Sequence, residues 1–233
     1  MRRRGLPQPT TVEELKEGLR TSYRTGWRIT GIADEHGEST WDHSLRLQKS
    51  MLLYLKHNGR QEDMTWAENR APWHDTSDYE LVDITPHDNI SDEERLHMEE
   101  ETVRWATARL GDQGARKRQY WLEGNIGDDP RRLLQFQLDK IEASVEAIRY
   151  GVQFPELRNA RPFSLDRFYA YTRSKLTDPL LITTLDTLNE RQYTHDARLQ
   201  YNTLLILGAD LDRFHHIMRQ PDPYKEYLLV DRE

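Results

Sequence analysis

The sequence predicts an all-α fold, a helical bundle with a helical C-terminal extension, and two observations carry this prediction. Apolar residues recur every three or four positions through most of the chain, which is the spacing of one face of an α-helix. No run shows the clear alternation of polar and β-branched residues that is typical of a strand. The most regular apolar stripe steps by 4, 3, 4 and 3 residues through Leu134, Leu138, Ile141, Val145 and Ile148.

Capping residues place the helices in the first half of the chain. Thr11 followed by Glu14, and Ser91 followed by Glu94, each have the hydroxyl and acid spacing that closes a helix N-terminus. Pro72 should kink a helix or mark its late start, because proline lacks a backbone N–H. The predicted helices cover about residues 11–22, 39 or 40 to 57, 66–79 and 91–110, with a turn-rich loop at 81–90.

Helices continue through the second half. Pro130 fits the first turn of a long helix, where its missing N–H costs nothing. The predicted helices there cover about residues 115–122, 130–150, 165–175 and 179–191. We therefore divide the chain into a disordered tail over residues 1–10, one domain over 11–191, and a helical extension over 192–233.

Composition excludes several classes of function. The chain has 233 residues, a net charge of −7 and no cysteine, so disulfide and thiolate chemistry are absent, and a general nucleic-acid binder is disfavoured. No stretch approaches the about 20 apolar residues of a membrane span, so we expect no membrane partner. The arginine-rich N-terminus has no apolar region after it, which argues against a signal peptide. We expect a cytoplasmic protein, with a transit peptide as the open alternative.

Two imidazoles and two carboxylates are candidates for a metal site. His43, the adjacent pair His74 and Asp75, and Asp139 are separated by 31 and 64 residues, so several helices would supply them. A mixed nitrogen and carboxylate set suits a transition metal better than Mg²⁺. The His-Asp pair alone is weak support, because a second pair, His195-Asp196, has no assigned role. At about 100° per residue, Asp139 lies about 140° from the centre of the apolar stripe and beside a second, smaller apolar patch, which is an unusual place for an acid.

Asp78 is a candidate for the acid that orients or deprotonates a water molecule. It follows His74 by four residues, so on an α-helix both side chains would lie on one face. Glu80 would point elsewhere on that helix. A plain solvated carboxylate at Asp78 is the alternative.

Six short motifs occur in order along the chain: residues 24–27 (RTGW), 38–43 (ESTWDH), 74–75 (HD), 82–90 (VDITPHDNI), 99–101 (EEE) and 137–139 (QLD). This ordered set resembles the HD-domain phosphohydrolases, most closely their 5'-deoxynucleotidase branch. In that branch RTGW, ES-x-x-DH, HD, GDI-x-P-x-DNI, EEE and QLD occur in this order. The likeness covers about residues 15–190.

The resemblance implies release of phosphate from nucleoside 5'-monophosphates, preferably deoxynucleotides, with one divalent cation (Mn, Co, Mg, Fe or Ni). It also implies a homodimer. His43, His74, Asp75 and Asp139 match the family's metal ligands, and Asp78 matches its catalytic Glu. Asp83 matches the acid that contacts the sugar. Trp27 matches a tryptophan of the substrate pocket, and either Arg24 or Arg28 matches the arginine beside it.

The sequence departs from the family pattern around the substrate and not at the ligands. Asp78 replaces a glutamate, Val82 replaces the glycine of GDI, and two extra residues separate Trp27 from His43. The segment before His74 is also more polar than usual. Two alternatives to the deoxynucleotidase reading stay open: the same chemistry on a 3'-phosphorylated or modified nucleotide, and a nucleotide-binding protein without catalysis.

Overall fold

A computed structural model describes residues 4–82, 90–159, 165, 167–191 and 196–220, and over this part of the chain the predicted all-α fold is confirmed. Among these residues no helix is both long and apolar enough to cross a membrane. The helices are α1 Val12–Arg20, α2 Thr25–Ile29, α3 Thr40–His57, α4 Met64–Arg70, α5 Asp92–Thr107, α6 Gly111–Asn125, α7 Pro130–Gln153, α8 Arg167–Arg173, α9 Pro179–Arg191, α10 Ala197–Ile206 and α11 Leu211–Met218.

The described structure forms two compact units, each made of two segments of the chain. The first unit comprises Met1–Arg46 and Glu68–Arg132, and the second comprises Leu47–Ala67 and Leu133–Glu233. In the second unit α9 packs against α10, so the predicted extension shares a unit with helices that precede it. The predicted domain boundaries themselves stay a prediction.

The first unit is built around a cluster of buried apolar side chains from α1, α3, α5 and the segment after α4. Both predicted helix starts are confirmed: Thr11 accepts a hydrogen bond from the backbone N–H of Glu14, and Ser91 with Glu94 forms a complete capping box. These caps satisfy backbone groups that a helix N-terminus leaves exposed. The cluster consists of Leu15, Leu19, Trp41, Trp73, Tyr79, Ala106 and Leu110.

The segment that carries His74 and Asp75 differs from the predicted helix over residues 66–79. The α-helix ends at Arg70, and two 3₁₀ turns follow, Ala71–Trp73 and Thr76–Tyr79. Pro72 explains the break, because it cannot donate the backbone hydrogen bond that would continue α4. The prediction that His74 and Asp78 share one face of an α-helix was therefore wrong, although Pro72 correctly marked the irregularity.

Residues 4–10 lie within the tail that the sequence predicts to be disordered, and this prediction stays untested, but several of them make specific hydrogen bonds. The guanidinium of Arg4 donates to the carbonyl oxygens of Gly18 (2.8 Å), Thr21 (2.9 Å) and Tyr79 (3.1 Å). The Glu80 carboxylate accepts the backbone N–H groups of residues 5 and 6 at 3.3 and 3.0 Å. These contacts hold the N-terminal segment against α1 and the second 3₁₀ turn.

Helix α7 supplies many buried side chains to the second unit. Its predicted stripe is buried at Leu134, Leu138, Ile141 and Val145, each at most 3% exposed. On the same helix the side-chain oxygen of Gln137 accepts the backbone N–H groups of residues 177 and 178, at 2.6 and 2.9 Å. The motif that resembles QLD therefore also anchors the start of α9.

Two glutamates of α7 are buried with their charge. Glu142 and Glu146 have side chains 0% and 4% exposed, and Arg198 of α10 bridges them at 2.5 and 2.8 Å. Ser50 donates a further hydrogen bond to Glu142. Burial alone would lower the pKa of Arg198, but the two carboxylates overcome this effect and hold it above its ordinary value. We call Glu142, Glu146 and Arg198 the glutamate–arginine cluster.

Candidate functional site

Three of the four predicted metal ligands meet in the first unit. The structure brings together His43, His74 and Asp75, whose donor atoms all lie within 4.8 Å of one another. Asp75 Oδ2 is 3.1 Å from His74 Nε2 and 4.0 Å from His43 Nε2, and the two imidazole centroids are 5.4 Å apart. We call these three residues the histidine–aspartate cluster.

Local backbone structure places these side chains. His43 lies one turn into α3, and its ring is completely buried. His74 and Asp75 occupy the break between the two 3₁₀ turns, so their side chains do not project from the face of an α-helix. Asn125 of α6 stabilises this break by donating to the carbonyl oxygen of His74 at 3.0 Å.

Both imidazoles are oriented with the same ring nitrogen towards Asp75. His74 Nδ1 is 2.8 Å from the carbonyl oxygen of Ala71, and since a carbonyl can only accept, Nδ1 carries a proton; in the neutral ring the lone pair then lies on Nε2. His43 Nδ1 is 3.5 Å from the Glu38 carboxylate. Histidines that bind metals commonly direct their second nitrogen at such an acceptor.

This arrangement fits one divalent cation. Two imidazole nitrogens and a carboxylate oxygen converge, and all three side chains are buried or only 25% exposed. Nitrogen and oxygen donors of this kind suit Mn²⁺, Fe²⁺, Co²⁺ and Ni²⁺.

Of the two candidate arginines, the structure brings only Arg24 to the cluster. Its NH1 lies 3.7 Å from Asp75 Oδ2, and the side chain is 17% exposed. Arg28 is 51% exposed and makes a two-point ion pair with Asp34. Arg24 is the residue just before the short helix α2, so it and Arg28 project differently.

Asp78 is connected to α3 through Thr40. The hydroxyl of Thr40, one turn before His43, donates to Asp78 Oδ2 at 3.3 Å. The main chain of Asp78 is held as well, since Ser22 Oγ donates to its carbonyl oxygen at 3.1 Å and its N–H reaches the Asp75 carbonyl at 3.0 Å. The sequence had assigned Thr40 only a possible capping role.

Trp27 is buried, and its indole N–H donates to Glu38 Oε1 at 3.2 Å. Sequence reasoning overlooked Glu38 as a functional residue, although it opens the ESTWDH motif. Val82 is half-buried, and Asp83 lies outside the described residues, so its predicted contact with the sugar stays a prediction.

The fourth predicted ligand, Asp139, lies on α7 in the second unit. It is only 9% exposed, and Lys140 Nζ lies 2.7 Å from its Oδ2. The unusual burial expected for this acid is therefore present, while its role as a ligand stays a prediction.

The model of the HD domain family matches residues 16–179, a span that contains all of the candidate residues. The chain belongs to the HD domain family. This match confirms the resemblance seen in the motifs, and it covers more than half of the sequence.

Relatives of this HD-domain protein carry a more specific name. This chain is 30% identical to the "5'-deoxynucleotidase HDDC2" of Danio rerio over 176 residues, which is 75% of this chain and 82% of the relative. It is 32% identical to the Dictyostelium discoideum protein of the same name, over 70% of this chain and 86% of that one. The Homo sapiens protein is 28% identical over 75% and 81%.

A solved structure supports the fold. A conserved hypothetical protein from Pyrococcus furiosus superposes with a TM-score of 0.52, covering 95% of this chain and 98% of that one. The two sequences are 18% identical, so this likeness concerns the fold alone.

Proposed function

We propose that this HD-domain protein is a metal-dependent phosphohydrolase that converts nucleoside 5'-monophosphates, preferably deoxynucleotides, to nucleoside and phosphate. One observation carries the proposal: a buried histidine–aspartate cluster with an arginine 3.7 Å from its carboxylate, in a chain whose relatives are named 5'-deoxynucleotidase. A cation site beside a fixed guanidinium is suited to a phosphate ester, which carries negative charge that both groups can bind.

His43, His74 and Asp75 would hold the cation, and Asp139 is the fourth ligand that the family resemblance implies. A divalent cation bound there would supply Lewis acidity towards a phosphoryl oxygen and lower the pKa of a bound water. Its identity is left to the experiment below, since the ligand set suits several metals.

Arg24 binds and orients the phosphate in this proposal. Its guanidinium is held near Asp75 and is largely shielded from solvent, so little rearrangement is needed to present it to an anion. Arg28 has no part, because its charge is already engaged by Asp34.

Asp78 holds the proton-accepting role. Thr40 donates to one of its oxygens, which positions the carboxylate to accept a hydrogen from water and orient that water towards phosphorus. The shorter side chain relative to the family's glutamate demands a closer water. Anchoring by Thr40 supports Asp78 as a positioned group instead of a solvated carboxylate.

Trp27 and Asp83 are proposed to contact the nucleoside, as the family resemblance implies. Trp27 supports this role because its ring is fixed by the hydrogen bond to Glu38. Val82 in place of glycine adds bulk beside Asp83, so the preferred sugar or base can differ from that of the relatives. We also propose a homodimer, which sedimentation velocity would test.

A phosphate-release panel tests the function. Purified protein stripped of metal is supplied with Mn²⁺, Co²⁺ or Mg²⁺ and assayed with 5'- and 3'-monophosphates of ribo- and deoxynucleosides. The proposal expects release from 5'-deoxynucleotides with at least one metal. Faster release from 3'-monophosphates would overturn the phosphate position, and no release with any metal would overturn the activity.

Two variants check that the activity belongs to the cluster. His74→Ala should abolish both metal binding and phosphate release while leaving a folded protein. Asp78→Glu restores the family's residue. If the wild type binds a nucleotide without turnover and Asp78→Glu gains activity, the natural chain is a non-catalytic nucleotide-binding protein.

A further inference from the structure

Glu38 is a buried carboxylate that contacts three functional side chains at once. Its side chain is 2% exposed. Oε1 accepts the indole N–H of Trp27 at 3.2 Å and lies 3.5 Å from His43 Nδ1. Oε2 forms an ion pair with Arg46, which lies one turn after His43 on α3.

We propose that Glu38 is a positioning residue that fixes the metal ligand His43 and the pocket residue Trp27 in one arrangement. This inference rests on the proposed function, because it takes His43 as a ligand and Trp27 as part of the nucleotide pocket. It adds a coupling: a change at either residue is felt by the other through the shared oxygen Oε1.

The effect on His43 follows from the two ring nitrogens. A carboxylate facing Nδ1 favours the tautomer with its proton on Nδ1, which leaves the lone pair on Nε2, the atom that faces Asp75. Such carboxylate partners also raise the basicity of the ligating nitrogen. A buried carboxylate needs a counter-charge, and Arg46 supplies it.

Glu38→Gln is a sharp test, since no orientation of an amide satisfies all three neighbours. With its oxygen towards Trp27 and His43, the amide N–H₂ meets the guanidinium of Arg46, donor against donor. With its N–H₂ towards His43, it clashes with the Trp27 N–H and favours a proton on Nε2, which cannot then bind metal. The substitution keeps the volume of the side chain, so packing is little changed.

Calorimetric titration of metal-free protein with Mn²⁺ measures the effect without any substrate. We expect Glu38→Gln to bind Mn²⁺ about 10- to 100-fold more weakly than the wild type, the range for partners of metal-bound histidines. Glu80→Gln is the matched control: Glu80 is 6% exposed, lies in the same unit, and accepts only backbone N–H groups in its described bonds. Its Mn²⁺ affinity should equal that of the wild type.

Trp27→Phe is the second variant, and it keeps the test decisive should Glu38→Gln fail to fold. It keeps an aromatic ring but removes the N–H that fixes Glu38. The affinity for Mn²⁺ should therefore fall about two- to tenfold, which corresponds to the net free energy of one hydrogen bond. Trp27 is not a ligand, so only the coupling predicts this loss.

The outcomes separate this inference from the proposed function. Wild-type affinity in folded Glu38→Gln, or in Trp27→Phe if the former does not fold, overturns the positioning role whatever the phosphate panel shows. A wild type that binds no Mn²⁺ overturns the metal site and this inference together. A wild type that binds Mn²⁺ but releases no phosphate overturns the reaction alone, and the affinity comparison still decides the role of Glu38.

Discussion

Two clusters of buried charge differ in where their positive charge comes from. In the glutamate–arginine cluster, Arg198 bridges Glu142 and Glu146 directly, so the protein supplies its own cation. In the histidine–aspartate cluster, two imidazole nitrogens face one carboxylate, and Arg24 stands 3.7 Å from that carboxylate.

This difference distinguishes a cluster that supports stability from a cluster that can bind an ion. A carboxylate taken out of water needs a positive charge nearby. Where a side chain provides that charge, the cluster is complete on folding and supports stability. Where imidazoles converge on the carboxylate, a bound ion can supply part of that charge.

Arg198→Met should destabilise the protein by about 3–5 kcal/mol, because it removes the cation paired with the buried carboxylate of Glu142, while Glu146 keeps its ion pair with Arg149. The free energy of unfolding from urea denaturation measures the loss, and Mn²⁺ should not restore it. Arg149→Met is the control: Arg149 pairs with Glu146 and its side chain is 45% exposed, against 30% for Arg198, so its loss should be clearly smaller. Equal losses would erase the contrast between the bridging arginine and the more exposed one.

Asp75→Asn should show the opposite pattern. It should change the stability of the metal-free protein little, and it should strongly reduce the stabilisation of the protein by metal. For the wild type, Mn²⁺ at about 100 times its Kd should raise the free energy of unfolding by about 2.7 kcal/mol, since only the folded state binds it. The variant should lose this increase. Thermal melts with and without Mn²⁺ provide the measurement, and an undiminished increase would place the metal elsewhere.

Arg24→Ala tests whether the arginine near Asp75 serves the substrate. We expect kcat/KM for a 5'-deoxynucleotide to fall about 10- to 100-fold, the value of a charge-assisted hydrogen bond to phosphate. Arg28→Ala is matched in chemistry but exposed and engaged by Asp34, and should stay within about twofold. The reverse ranking would assign the phosphate to Arg28.

Arg4→Ala extends the comparison to a cation that is held by neutral acceptors. Burial lowers the pKa of Arg4 from its ordinary value, and its guanidinium bonds to backbone carbonyl oxygens. Its loss should cost about 1–2 kcal/mol of unfolding free energy, less than the loss of Arg198. A cost as large as that of Arg198→Met would show that carbonyl groups bind a buried arginine as strongly as carboxylates do.

The sequence predicted the helices well where one face is apolar or a cap is encoded locally. The α7 stripe and the caps at Thr11 and Ser91 are examples, because neighbouring residues determine them. It could not predict the path of the chain beyond Pro72, which depends on how the 3₁₀ turns pack against α1, α5 and α6.

The same limit applies to the site. Spacing and motifs identified His43, His74 and Asp75, and these three converge as expected. The orientation of the two histidine rings was not predictable, because it depends on the carbonyl of Ala71 and the carboxylate of Glu38. The spacing of residues in the sequence does not encode these contacts. The choice between Arg24 and Arg28 likewise required knowing that Asp34 engages one of them.

Gly18 is a position at which a substitution should change the activity of this HD-domain protein without altering its proposed metal ligands. A Cβ at that position would lie 2.1 Å from the ring of Tyr79, which is itself 4% exposed and bonded through its hydroxyl to the carbonyl oxygen of Pro7. Any side chain on α1 at residue 18 must therefore push on the turn that ends at Tyr79 and contains Asp78. Mutant libraries designed to change turnover can therefore include Gly18, which is distant in sequence from every proposed metal ligand.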